Sequence, residues 1–256
     1  MEAIYLCIFA FLAGFIDAVV GGGGLIQLPA LLVFLPAESS RTLAPIWGTN
    51  KFSSICGTTI AVINYARRVT INWPLILPAA IAALIFSFLG TRAVAHIRRE
   101  ALEPVVLVLM IAVAIYTFIK KDFGNLHAPR LTPKQASALA ILTGIVIGFY
   151  DGFFGPGTGS FLIFIFIGLF GFDFLHASAN AKIINFATNL ASVTYLAATH
   201  NILYAYAIPM AVCNVLGSIT GTTLAILKGN KFVRALFLVV VSLMILRFAW
   251  QIIQKH

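Results

Sequence analysis

The stretch GFYDGFFGPGTGS, residues 148–160, places an aspartate and several glycines inside a long apolar run. A similar stretch, GFIDAVVGGGGL, occupies residues 14–25. Glycine adopts backbone conformations that other residues avoid, so a glycine cluster can end a helix and leave peptide groups uncovered. Each stretch is therefore predicted to interrupt a helix that the surrounding apolar residues would otherwise continue.

The composition around these stretches is that of a helical membrane protein. The 256 residues are 61% hydrophobic and 10% charged, and the mean hydropathy is +1.00. Soluble domains carry about 25% charged residues, so this chain cannot cover a water-facing surface. The apolar runs are continuous and lack the alternation of an outer-membrane barrel. We therefore predict an all-α, polytopic membrane protein in contact with the lipid bilayer.

The formal net charge of +9 does not indicate a nucleic-acid partner. The basic residues lie mostly in short loops between apolar runs, as at 67–68, 98–99 and 120–121. This is the pattern that orients membrane proteins. No basic segment or cleavage site precedes Asp17, so the first apolar segment is expected to stay in the protein and not to act as a signal peptide.

The apolar runs predict six full-length membrane helices and two pairs of shorter arms. About 20 apolar residues cross a bilayer as a helix, and the runs of this length are 45–65, 74–94, 102–119, 177–198, 204–227 and 233–253. The shorter arms flank the two glycine clusters, at 4–16, 25–35, 136–149 and 160–170. Irregular backbone at membrane depth is tolerated only where protein or water covers it. Each pair of arms is therefore predicted to form a re-entrant hairpin or a broken helix.

The two halves of the chain repeat. Gly14, Phe15, Asp17, Gly21, Gly23, Lys51, Pro78, Gly90 and Thr91 recur in the same order as Gly148, Phe149, Asp151, Gly155, Gly157, Lys182, Pro209, Gly221 and Thr222. The predicted first repeat is 1–120 with its hairpin at 4–35, and the second is 136–256 with its hairpin at 136–170. The polar segment 121–135 links them.

A hairpin followed by three crossings makes an odd number of crossings, so the two repeats are predicted to be inverted in the membrane. One face then carries Arg67, Arg68, Lys120, Lys121, Arg130, Lys134, Lys228, Lys231 and Arg234, and the other carries Arg41, Arg92, Arg98, Arg99 and Lys255. This bias predicts a cytoplasmic linker at 121–135 and external termini. Hairpins that crossed the membrane fully would divide the same charges evenly.

Four charged residues lie deep inside apolar segments, at positions related by the repeat: Asp17, Lys51, Asp151 and Lys182. A charge at the bilayer centre costs about 2.5–3.5 kcal/mol on insertion scales, so these four indicate a shared task. One interpretation is structural, with two Asp–Lys pairs that hold the hairpins onto the neighbouring helices. The other is a binding site, and the two interpretations are compatible.

The binding interpretation predicts a site for a small anion. A helix that restarts after each break presents unpaired N–H groups and the positive end of its dipole, and a lysine from the next helix adds a full charge. The predicted substrate-binding residues are Lys51, Lys182, Gly22, Gly23, Gly24, Gly157, Thr158, Gly159, Ser160, Asn50 and Asn185. Other deep polar residues, Thr49, Asn180, Thr188 and Asn189, either complete the site or form interhelical hydrogen bonds. Pro156 stands where the first copy has Gly22, and because proline has no N–H the two breaks are not expected to be equivalent.

Asp17 and Asp151 are candidates for coupling transport to protons. They either pair with the two lysines or take up protons, because burial disfavours the charged form of a carboxyl group. Broken helices that meet at the midplane of inverted repeats are typical of secondary transporters, so alternating access is predicted. Two alternatives stay open: a cation carrier that uses Asp17 and Asp151, and a non-transporting membrane scaffold. No catalytic, cofactor or metal constellation is visible, so an enzyme is not predicted.

The paired GF-x-D-x-x-x-G-x-G breaks, each followed by a lysine-bearing helix, resemble the TauE/SafE family of sulfite exporters, over about residues 4–253. The resemblance implies a transporter of the bacterial inner membrane that exports sulfite or a related organosulfur anion. By this resemblance, the family's motif corresponds to the breaks at 21–24 and 155–159 and to Lys51 and Lys182. The oligomeric state, the substrate itself and the direction of transport are not encoded in these motifs.

Overall fold

The computed structural model describes residues 2–35, 43–94 and 131–254, and within these ranges all regular structure is helical. The helices are α1 Glu2–Val20, α2 Gly24–Phe34, α3 Leu43–Ala66, α4 Trp73–Val94, α5 Pro133–Phe153, α6 Thr158–Gly168, α7 Phe174–Ala198 and α8 Tyr204–Gln254. The predicted helix 102–119 and most of the predicted linker 121–135 lie outside the described residues.

Four of the described helical segments are long and apolar enough to cross a bilayer, by length and composition. They are α1, most of α4, α5 and the first part of α8, over Tyr204–Val233. Large apolar side chains on these helices are exposed, among them Ile4, Ile81, Val146 and Val212. Such an outer surface is suited to lipid, so the prediction of a polytopic helical membrane protein is confirmed.

The first helix break lies where the glycine cluster predicts it. α1 ends at Val20, Gly21 takes a left-handed φ of 75°, and α2 begins at Gly24. The chain then turns back on itself, because Phe34 at the end of α2 stacks on Tyr5 and Phe9 near the start of α1, with ring centroids 5.1 and 5.7 Å apart. α1 and α2 therefore form a hairpin.

The second break is built in the same way. α5 starts at Pro133, after Thr132, whose N–H donates to the Gln135 side chain at 3.2 Å. It ends at Phe153, and Gly155 and Gly157 take left-handed φ values of 80° and 86° before α6 begins. Residues at the start of α5 and just after α6 line one common surface hollow, so this segment also forms a hairpin.

The predicted length of the first arm of each hairpin was wrong. The arms were expected at 4–16 and 136–149, about half a bilayer, whereas α1 has 19 residues and α5 has 21. The helices continue through Asp17 and Asp151 and end at the glycine clusters, where Gly21, Gly155 and Gly157 take left-handed φ values. Among the described helices, only α2 and α6, with 11 residues each, are half-length.

Two long central helices, α3 and α7, are more polar than the helices around them. They have 24 and 25 residues, in agreement with the predicted spans 45–65 and 177–198. Their mean hydropathy is lower than that of the four helical segments named above as apolar enough to cross a bilayer. Their buried polar side chains explain this difference: Thr49, Asn50, Lys51, Ser53, Thr58, Ser178, Asn180, Lys182, Asn185, Thr188, Asn189 and Ser192. α3 and α7 form the polar interior of the molecule.

Contacts between the helices recur in the two repeats. Gly14 in α1 lies against the backbone of Asn214 in α8, and Gly148 in α5 lies against the backbone of Ala83 in α4. Ser218 Oγ donates to Gly57 O at 2.6 Å, and its counterpart Ser87 donates to Thr188 O at 3.0 Å. Each hairpin thus packs on a helix of the other repeat.

The last element differs from the predicted pair 204–227 and 233–253. α8 runs from Tyr204 to Gln254 with a single non-helical residue, Gly229, at φ 64° and ψ −160°. The two predicted helices are present, but they meet at this kink and have no loop between them. Gly229 adopts the left-handed φ at no steric cost, which lets the helix change direction in one residue.

Candidate functional site

The four deep charges form two crossed ion pairs. Lys51 Nζ in α3 lies 2.6 Å from Asp151 Oδ2 in α5, and Lys182 Nζ in α7 lies 2.9 Å from Asp17 Oδ2 in α1. Each lysine therefore reaches the aspartate of the other repeat. The sequence predicts that these residues can pair but does not say which lysine meets which aspartate. The crossed arrangement ties each hairpin to the polar helix of the opposite repeat.

The two ion pairs differ in their surroundings. Asp151 is 3% exposed, and Thr158 Oγ1 donates to its other oxygen at 2.7 Å. The Asp17 side chain is 19% exposed, whereas its partner Lys182 is fully buried. Both oxygens of Asp151 are thus used, by partners on two different elements, while Asp17 keeps a part of its carboxylate open.

The tips of the two hairpins touch. Gly21 and Gly159 approach so closely that a methyl group on either would overlap the backbone of the other. The Ser160 amide donates to Gly21 O at 3.2 Å and its hydroxyl donates to Val20 O at 2.8 Å. Glycine at both positions allows this contact, and Ser160 fastens one hairpin to the other.

A small, partly open cavity lies beside the hairpin tips, with a volume of about 30 Å³. Most of the predicted site residues line it: Asp17, Gly24, Asn50, Lys51, Asp151, Gly157, Thr158, Gly159 and Asn185. Four predicted binding residues do not line it: Gly22, Gly23, Ser160 and Lys182. The described cavity is therefore asymmetric, with one lysine at its wall instead of two.

Amide groups at the start of α6 complete one side of the cavity. The Thr158 and Ser160 amides are bonded to Gly155 O and Gly21 O, at 3.3 and 3.2 Å. Between them, the Gly159 amide has no partner among the described residues. A free N–H at a helix start is suited to a negative ligand.

The cavity also contains residues that the sequence analysis did not select, chiefly Trp47 and Ser54 of α3. Trp47 is 4% exposed, and its indole N–H has no hydrogen-bond partner among the residues that the structure describes. An indole nitrogen only donates, so this group is available to an acceptor. Helical spacing was the signal that could have found both residues, because 47, 51 and 54 fall on one face of α3.

A second polar network holds α2 in place behind the cavity. Asn214 Nδ2 in α8 donates to Gln27 Oε1 at 2.8 Å, and Gln27 Nε2 donates to Asn50 O at 3.4 Å. Gln27 is fully buried, and the sequence analysis did not select it. The network connects the half-length helix α2 to both α3 and α8. A movement of α2 would therefore be transmitted to Asn50 through the hydrogen bond from Gln27.

Known proteins resemble this chain over most of its length. Residues 6–248 match the protein family described as "Sulfite exporter TauE/SafE". A "Probable membrane transporter protein ORF9" of Sinorhizobium sp. is 34% identical over 237 residues, which is 92% of this chain and 88% of that protein. A "Probable membrane transporter protein" of Haemophilus influenzae is 32% identical over 242 residues, or 94% and 92%.

"Probable membrane transporter protein YfcA" of Escherichia coli strain K12 is 30% identical over 235 residues, which is 92% of this chain and 85% of that protein. No solved structure matches the chain significantly. The family match covers both hairpins and the helices α3 and α7 that carry the crossed ion pairs. The chain therefore belongs to the TauE/SafE family of membrane transporters.

Proposed function

We propose that this protein is a secondary transporter that moves a small anion, with sulfite or an organosulfur anion as the substrate. The observation that carries the proposal is that hydrogen-bond donors belong to the residues lining one small cavity. Lys51 and Trp47 of α3 and Gly159 at the start of α6 lie in its wall, and the Gly159 amide has no partner among the described residues. The choice of a sulfur anion, and of export as its direction, rests on the description of the family.

The proposed substrate competes with Asp151 for Lys51. Two lysines and two aspartates sum to no net charge, so an anion that enters unaccompanied would leave a buried negative charge, which is costly. A proton on Asp151 would release Lys51 to the anion and restore neutrality. We therefore propose that one proton accompanies each negative charge of the substrate, with Asp17 in the equivalent role at Lys182.

Transport by alternating access requires the hairpins to move. A cavity of about 30 Å³ is small for a polyatomic anion, so we propose that the tips around Gly21 and Gly159 separate when it binds. We propose that the repeats are inverted, so that the two hairpins open toward opposite faces of the inner membrane. The matched contacts of Gly14 and Gly148 on the opposite repeats support this two-fold plan.

The test of the proposal is sulfite flux in proteoliposomes. We expect Lys51→Met to abolish flux and Lys134→Met, at an exposed position outside the cavity, to leave it unchanged. Lys182→Met is expected to impair flux because it leaves the Asp17 carboxylate without its ion-pair partner. Transport that survives both Lys51→Met and Lys182→Met but fails in Asp17→Asn or Asp151→Asn would favour a cation carrier. Flux absent from wild type, for sulfite and sulfonates alike, would favour a scaffold.

Measurements of thermal stability distinguish a structural role of Lys51 from a role in substrate binding. Removing one partner of a buried pair costs about 3–5 kcal/mol, so Lys51→Met alone is expected to lower the thermal midpoint. The double variant Lys51→Met/Asp151→Asn also removes the unpaired Asp151 carboxylate, so it should regain most of the lost thermal stability. Under our proposal it stays inactive in flux; a double variant that transports sulfite would show that the pair is only structural.

Proton coupling is tested by the dependence of flux on a pH gradient. With an imposed pH gradient, wild-type flux should follow the gradient, and Asp151→Asn should lose this dependence because its side chain cannot exchange a proton. Full dependence on the gradient in both Asp17→Asn and Asp151→Asn would exclude coupling through these residues.

A further inference from the structure

A second concave site lies between the end of α3 and the middle of α8, away from the transport cavity. Its volume is about 300 Å³, and its wall includes Asn64, Arg67, Arg68, Ile219, Ile226 and Leu227. It shares no lining residue with the cavity beside Lys51. The proposed transport function does not use any of these side chains.

One end of this hollow is strongly basic. Arg67 and Arg68 are exposed, and neither has a carboxylate partner among the described residues. Asn64 donates one amide hydrogen to Thr222 Oγ1 at 2.9 Å, which leaves its second amide hydrogen for a ligand. Arginine binds phosphate oxygens in a bidentate manner, so this end is suited to a phosphate group.

The wall that α8 contributes to the hollow is apolar and exposed. Leu227 is 77% exposed and Ile219 is 40% exposed, and both lie on the segment of α8 that can cross a membrane. The arginines follow directly after α3, whose 24 residues span about 36 Å. They therefore lie where a spanning helix leaves the hydrocarbon, as does the exposed Trp73 at the start of α4, a position that tryptophan favours.

We propose that this hollow binds the headgroup of an anionic phospholipid. The two guanidinium groups would hold the phosphate, and Ile219, Ile226 and Leu227 would contact the first part of an acyl chain. A free phosphate would use the basic end alone and leave the apolar wall uncovered. A zwitterionic headgroup would bring a cation against two unpaired arginines, so a net negative lipid is favoured. Basic pockets between membrane helices are known sites of this kind.

The test compares lipids on the full-length protein, purified and delipidated in detergent. Phosphatidylglycerol should raise the thermal midpoint above the value with phosphatidylcholine by about 2–4 °C, and native mass spectrometry should show bound phosphatidylglycerol. Arg67→Gln/Arg68→Gln should lose both effects. Lys134→Gln removes an exposed lysine outside this hollow and should keep them.

A further variant keeps both arginines, in case the double substitution impairs folding. Leu227→Glu places a carboxylate at the apolar wall, at an exposed position, and should also lose the selective binding of phosphatidylglycerol. The proposal is overturned if phosphatidylcholine stabilises wild type equally, or if inorganic phosphate alone gives the full shift. It is also overturned if the arginine variant or, where that variant does not fold, Leu227→Glu still binds phosphatidylglycerol as wild type does.

Discussion

The crossed pairs Lys51–Asp151 and Lys182–Asp17 place four charges in the interior of a chain that is 61% hydrophobic. Desolvation of such charges is tolerated when each has a close partner of opposite sign, and the observed distances of 2.6 and 2.9 Å provide this. Because every pair joins two repeats, neutralising one aspartate weakens a contact between repeats and frees a lysine at the same time. Under the proposed coupling, a single protonation would act on both binding and movement.

Trp47 provides a sharper test of the cavity than the charged residues, because its substitution can leave packing intact. Trp47→Phe removes the unpaired indole N–H and keeps an aromatic ring among Leu28 and Ile46. A hydrogen bond to a charged group contributes about 1.5–3 kcal/mol, so we expect the KM for sulfite to rise at least about tenfold.

The matched control for this prediction is Trp73→Phe, since Trp73 is half-exposed at the start of α4 and lies outside the cavity. Its KM should equal that of wild type. An unchanged KM in Trp47→Phe, measured in the same proteoliposomes, would remove the indole from the proposed site.

At the scale of the helices, the contact between the hairpin tips sets how the two breaks meet. A Cβ on Gly159 would overlap the Gly21 backbone, whereas a Cβ on Gly24 would meet only Pro156 Cα, at 3.8 Å. Gly159→Ala is therefore expected to cost about 1–3 kcal/mol or more through overpacking. Gly24→Ala, in the first turn of α2, should be close to neutral.

Thermal unfolding of the purified variants checks this prediction. A loss of 1 kcal/mol in a chain of this size lowers the midpoint by about 2–4 °C, which is readily measured. Equal midpoints for Gly159→Ala and Gly24→Ala would show that the tips have room to separate without strain, and would contradict the close contact.

For the whole molecule, the proposed inversion of the repeats predicts opposite exposure of equivalent positions. Glu2 begins α1, and Lys134 lies in the first turn of α5, the equivalent helix of the second repeat; both are exposed. In a background without Cys7, Cys56 and Cys213, a membrane-impermeant maleimide should label Glu2→Cys in intact cells. Lys134→Cys should be labelled only in inverted vesicles. Labelling of both from one side would exclude inverted repeats.

The sequence by itself determined the class of protein, the positions of the helix breaks and the four charges within apolar segments, and it predicts the repeat. These are local properties, because hydropathy, glycine clusters and isolated charges act on the residues next to them in the chain. The family resemblance, confirmed by the match over residues 6–248, rests on the same local motifs. The half-length helices α2 and α6 begin where the glycine clusters predict, near Leu25 and Ser160.

Only the tertiary structure decided which residues meet. The pairing of Lys51 with Asp151 joins residues that are distant in the chain, and it depends on how α3 and α5 pack. The same packing leaves Lys182 and Ser160 out of the cavity wall and brings Trp47 into it. Rotations and contacts of helices far apart in sequence fix these features, and no local pattern encodes them.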